Sequence, residues 1–164
     1  MEYRNDKSRD EIRSGLIKQM KEGSLNCLIT LSTNKSVHIQ EMKRMVIDFQ
    51  HEVEQKAFRG KAFKVNDTFD YQKYFYFYGF YEQGSYQDNS HFHLLAYLDL
   101  NYYQFIYDRL PKYWGKICDS GSQDMQVIKD SYVSIAKYVT KQLNQNFDNY
   151  LISEKSYLKG KING

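Results

Sequence analysis

His91 and His93, separated by one residue, and Tyr138 and Lys141, three apart, are the pairs in this chain whose types and spacing could do chemistry. In an extended strand the side chains alternate, so His91 and His93 leave one face and Phe92 the other. Two imidazoles side by side can share a cation. Phe92, followed on its own face by Leu94, Ala96 and Leu98, anchors the strand in a core. If residues 71–82 and 91–98 pair as a hairpin across the polar stretch 83–90, Glu82 lies opposite His91 and Phe80 opposite His93. Opposed residues share a face with Cβ atoms about 5 Å apart, which brings a carboxylate toward the same cation. His91, His93 and Glu82, with open positions left over, suit Mg²⁺ or Mn²⁺; a closed structural zinc site needs more nitrogen or sulfur ligands. The pair also fits two half-exposed strand histidines beside a loop. His38, near a helix start, and His51, on a helix surface, read as structural.

Residues three apart on a helix are neighbours, so Tyr138 and Lys141 stand together on the polar side of a helix expected over 132–147, with Ser134, Gln142 and Gln145. The apolar stripe of that helix is Val133, Ala136, Val139, Leu143 and Phe147. A tyrosine on the polar side can face a solvent-accessible cleft. Lys137, Gln142 and Gln145 border the same side as candidates for touching a nucleic-acid strand. In a chain with 16 tyrosines, a surface tyrosine beside a solvated lysine also satisfies the pattern.

The elements that must position these residues follow from periodicity. Residues 6–22 read as a charged helix ending near Gly23, and 25–33 as a buried strand rich in β-branched residues. Residues 38–58 carry Ile39, Met42, Met45, Val46, Phe49 and Val53 at helical spacing. Residues 71–82, aromatic throughout, suit a strand covered on both faces, and 91–98 the next strand. A helix over 101–110 should stop before Pro111, and 124–129 reads as a further strand. The order α-β-α-β-β-α-β-α implies an α+β fold, a central antiparallel sheet of about four to five strands flanked by helices.

At 164 residues the chain reads as one domain, 1–164, with a core over about 25–147, the helix 6–22 before it and a basic tail 148–164 after it. Aromatic residues make up 16%, an excess that fits core filling or base stacking alike. The net charge of +3 is modest for a nucleic-acid binder, but residues 129–164 alone supply it, with six lysines against three acidic residues. Such an end follows a phosphate backbone or is simply solvated. Cys27 and Cys118 lack the spacing of a thiolate metal site or disulfide scaffold. The charged N-terminus and the lack of a long apolar run lead us to expect an intracellular (cytoplasmic) protein with no membrane partner.

Three segments in order, LITLST (28–33), HFHLL (91–95) and YVTK (138–141), resemble the motifs of the HUH endonuclease superfamily, in particular rolling-circle replication initiators. The resemblance spans about residues 25–145. It implies a ferredoxin-like HUH fold, with His91, His93 and Glu82 as ligands of Mn²⁺ or Mg²⁺, Tyr138 as nucleophile, and Lys141 as the motif lysine that would favour phenolate or offset charge growing on a phosphate. Thr30 and Ser32 match the first motif, which supports the sheet below the site more than the chemistry. Tyr132 lies six residues before Tyr138, on another side of the helix, so the resemblance is to one-tyrosine enzymes. The implied activity is a metal-dependent, sequence-specific nick in single-stranded DNA at a plasmid or viral origin, through a 5′-phosphotyrosine. The implied partners are an origin hairpin or nick site and a host or co-encoded helicase and polymerase. Two other readings are a single-strand DNA transposase of the same class and a non-catalytic RNA- or ssDNA-binding module. The aromatic run YFYFYGFYE superficially fits the latter, but it lacks the glycine and basic pattern of an RNA-recognition motif.

Overall fold

Alternating side chains decide the sheet. In β1 (Cys27–Ser32), β2 (Phe75–Gln83) and β3 (Ser90–Leu98), every second residue turns to one face, as a pleated strand requires. The computed structural model describes residues 2–58, 74–84, 89–143 and 148–154. It sets these strands with β4 (Ser122–Val127) and β5 (Tyr150–Ile152) in the order β4-β1-β3-β2-β5, with every neighbouring pair antiparallel. The helices are α1 (Glu2–Lys21), α2 (Ile39–Ala57), α3 (Tyr103–Gly115) and α4 (Tyr132–Val139). The protein is α+β, with helices on both sides of one antiparallel sheet.

On one face Ile29 and Leu31 of β1, Phe75 and Phe77 of β2, and Phe92, Leu94 and Ala96 of β3 meet Met42, Val46 and Phe49 of α2 and Ile106 and Trp114 of α3. Each such large side chain removed from water contributes about 1.5–3 kcal/mol. Cys27 lies in this core, where burial pushes its thiol up to about 12. The opposite face carries a smaller cluster, with Leu95 and Phe80 under Leu16 and Met20 of α1 and Ala136 and Val139 of α4. α1 and α4 thus cover the end of that face nearer residue 95, while the histidines, two and four residues back along β3, lie toward its polar end. Among the described residues, no helix is long and apolar enough to cross a membrane.

Four local expectations need correction. α3 does not stop before Pro111 but runs through it to Gly115. The missing N–H costs about 3 kcal/mol in a helix interior. Here it falls on the exposed side, and continuing the helix buries Tyr113 and Trp114, the latter donating Nε1–H to the Ser32 carbonyl at 3.0 Å. α4 ends at Val139 rather than 147, with buried Thr140 as its C-cap and the Thr140 hydroxyl donating to the Ala136 carbonyl at 2.6 Å. Val133, placed in the apolar stripe, is 49% exposed; this short helix turns Tyr132, Ile135, Ala136 and Val139 toward the sheet instead. Part of the expected tail 148–164 is sheet, since Leu151 of β5 pairs with Gly79 at the edge of β2. Gln145 and Phe147, the strand start at 71–73 and the tail from 155 onward lie outside the described residues.

Candidate active site

The hairpin register places Glu82 opposite His91 and Phe80 opposite His93, as the sequence leads one to expect. β1 closes the other side of β3 with Ser32 opposite His91 and Thr30 opposite His93. Because the pleat alternates, Thr30, Ser32, Glu82, His91 and His93 all leave one face of the sheet. His93 is buried at 2% exposure, whereas His91 is half-buried. Their rings are parallel to within 2° with centroids 6.3 Å apart.

Hydrogen bonds hold both rings by the same nitrogen. The Ser32 hydroxyl lies 2.8 Å from Nδ1 of His91, and the Thr30 hydroxyl 3.1 Å from Nδ1 of His93. These contacts leave Nε2 of each ring on the far side of its anchor, the arrangement by which metal-binding imidazoles are oriented. By sequence, Thr30 and Ser32 support the sheet more than the chemistry. Their alternation toward the histidine face was legible, but the β1–β3 register that gives each its own imidazole was not.

Glu82 reaches diagonally past its register partner. Its Oε2 lies 2.6 Å from Nε2 of His93, and its Oε1 2.8 Å from Nζ of Lys141. Burial alone would raise the Glu82 carboxyl, but hydrogen bonds from Lys141 and His93, together with their charges, outweigh it and hold the group below its ordinary value. Burial likewise depresses His93, more than the Glu82 carboxylate raises it, so the imidazole is neutral at neutral pH. A neutral imidazole has one donor nitrogen and a carboxylate only accepts. Nε2–H of His93 therefore donates to Glu82, and Nδ1 accepts from Thr30.

Tyr138 comes to this group from α4. Its ring centroid is 4.9 Å from that of His93, and Nζ of Lys141 stands 4.5 Å from the centre of the tyrosine ring. Tyr138 remains 47% exposed, so a large substrate can approach it. Lys141 lies just beyond the helix in the turn that follows it, and proximity to Tyr138 survives the shorter helix. Two arginines of α1 hold that turn: Arg13 donates to the Thr140 hydroxyl at 2.7 Å, and Arg9 donates to the Leu143 carbonyl at 2.7 Å. Cations at the open carbonyl end of a helix satisfy both its hydrogen-bonding and its dipole. Gln142 has a structural task, pairing its amide with the backbone N–H and carbonyl of Gln83 at 2.9 and 3.2 Å. Lys137 is exposed on α4, and Gln145 is outside the described residues.

Two imidazole Nε2 atoms and one carboxylate on a single half-open face make a donor set that suits a divalent cation. Among the described residues no three His, Cys, Asp or Glu side chains are gathered around one point. Glu82 and His93 are already in contact, and His91 stands parallel beside them. The chemistry of the donors fits, while the third donor is not drawn in. His38 accepts from the Gln40 N–H at the start of α2, and His51 contacts Glu154, which leaves both histidines structural. No family model, curated protein or solved structure matches this chain.

Proposed function

We propose that the protein is a single-domain nickase of the HUH type that cuts single-stranded DNA through Tyr138 and initiates rolling-circle replication of a plasmid or virus. The observation that carries this reading is the approach of Tyr138 to His93, 4.9 Å between ring centroids, with Lys141 bound to the carboxylate between them. One exposed tyrosine, one cation and one His/carboxylate cluster meet where three separate elements converge.

In this reading Oη of Tyr138 attacks the scissile phosphorus. The Oη–P bond forms, the P–O3′ bond breaks, the phenolic proton passes to solvent, and the departing 3′-oxygen takes a proton from water. The products are a 5′-phosphotyrosyl enzyme and a free 3′-hydroxyl. Lys141 offsets the charge on the phosphate oxygens as the tyrosyl oxygen adds. A divalent cation, Mn²⁺ or Mg²⁺, held by His91, His93 and Glu82 would supply Lewis-acid polarisation of the scissile phosphate. The phosphotyrosyl link conserves the phosphodiester, so rejoining runs by reversal without ATP. Strand separation and synthesis would fall to a host or co-encoded helicase and polymerase acting at the same origin.

The test is an adduct assay on 3′-labelled single-stranded oligonucleotides with randomised centres, with Mn²⁺ or Mg²⁺ present. A denaturation-resistant protein–DNA adduct is expected, and Tyr138→Phe should abolish it. An adduct that persists in Tyr138→Phe removes that residue from the role. Binding without cleavage in either cation would make the protein a non-catalytic single-strand binder.

A further inference from the structure

The cleft between α2 and α3, about 680 Å³ in volume, lies on the face of the sheet away from His91, His93 and Tyr138. From α3 it is lined by Phe105, Arg109, Lys112 and Tyr113, whose spacing puts them on one side of the helix. α2 adds Glu52 and, one turn later, Lys56. Glu52 is already neutralised, since it pairs with Lys116 at 3.2 Å. Among the described residues Lys56, Arg109 and Lys112 have no carboxylate partner, so the walls carry unbalanced positive charge.

Two further features point to what the cleft accepts. The guanidinium of Arg109 sits 3.6 Å from the centre of the Phe105 ring, and Phe105 is 39% exposed. A large exposed aromatic paired with arginine is a platform for a planar base. Tyr113 is only 3% exposed, and its hydroxyl is shut off from solvent with no hydrogen-bond partner among the described residues. Arg109 and Glu52 are the charges that act on this phenol, which burial pushes above its ordinary value. A sealed hydroxyl at the floor of a basic cleft is a donor awaiting an acceptor.

We propose that this cleft binds a nucleoside phosphate, either free or as a unit of a single strand. Lys56, Arg109 and Lys112 take the phosphate, the base lies against the Phe105–Arg109 pair, and the Tyr113 hydroxyl donates to a ligand oxygen once the side chains that cover it part. The site stands on its own residues and does not depend on the reading of Tyr138.

Trp114, the single tryptophan, is buried next to Tyr113 and gives a fluorescence readout of the cleft floor. The full chain is titrated with deoxyadenosine monophosphate and with oligothymidylate, by fluorescence and by calorimetry. Saturation by the mononucleotide assigns the cleft to free nucleotides, and saturation by the oligomer alone assigns it to a strand. In either case Arg109→Glu with Lys112→Glu should weaken binding at least about tenfold, and for the oligomer reduce the salt dependence by about two ions. Tyr113→Phe should weaken binding about fivefold with a melting temperature no lower than wild type. Failure of both probes to bind, or equal affinity in the double charge-reversed protein with its fold intact by circular dichroism, overturns the proposal.

Discussion

The Glu82 carboxylate and the His93 imidazole meet at 2.6 Å, although the strand register sets Glu82 opposite His91. A glutamate is long enough to choose the diagonal neighbour, and Lys141 at 2.8 Å holds its second oxygen from the other side. The chain Lys141–Glu82–His93–Thr30 thus ties the turn after α4, beside Tyr138, to the centre of the sheet.

That chain sets a pH dependence. Glu82 is held below 4.5, its hydrogen bonds and neighbouring charges outweighing burial, and His93 is held below 6.5, with burial as the main cause. In both cases the unfolded chain binds the proton more tightly, so the stabilisation is complete above about pH 6.5 and is lost as pH falls through the folded values. The wild-type advantage in melting temperature over Glu82→Gln should therefore hold from neutral pH down and be lost only below about pH 4.5, where the carboxylate itself protonates. A wild-type advantage that persists undiminished well below about pH 4.5 would contradict the arrangement.

Thr30 and Ser32 should matter for cation binding without touching the cation. A hydroxyl can donate to Nδ1 or accept from it, so Thr30 serves His93 whether Nε2 is protonated or free to ligate. Thr30→Val keeps the shape and removes that partner. Calorimetry with Mn²⁺ should show a loss of about 10- to 100-fold in affinity, restored by Thr30→Ser. Wild-type affinity in Thr30→Val would show that the hydroxyl does not position the ring.

Gly79 is required for packing beneath the histidine strand. A Cβ built there would stand 2.6 Å from Cε1 of Phe92 and 3.2 Å from Leu94. Phe92 is fully buried, so its ring has no open space to enter. Gly79→Ala should cost about 1–3 kcal/mol in urea unfolding, and the displaced Phe92 should also disturb His91 and His93. An unchanged urea midpoint would mean that β2 and β3 shift apart easily.

Much of the arrangement was legible in the sequence because it depends on short-range geometry. A period of two along HFHLLAYL sends His91 and His93 to one face, and a hairpin with a short polar connection brings Glu82 into line. Helical neighbourhood brings Lys141 to Tyr138, even though the helix itself ends earlier than its apolar stripe suggests. Pro111 misled because a local rule was overridden by the burial of Trp114.

By itself the sequence determined which side chains share a face and which strands alternate, since pleat and helix pitch are properties of the backbone. Only the tertiary structure decided who meets whom. Thr30 finds His93 across 63 residues, and Arg13 holds the turn after α4 across 127, through pairings that depend on how sheet and helices pack together. Glu82 turns from His91 to His93 for the same reason: Lys141, brought in by α4, stands at that corner and favours the anionic carboxylate there.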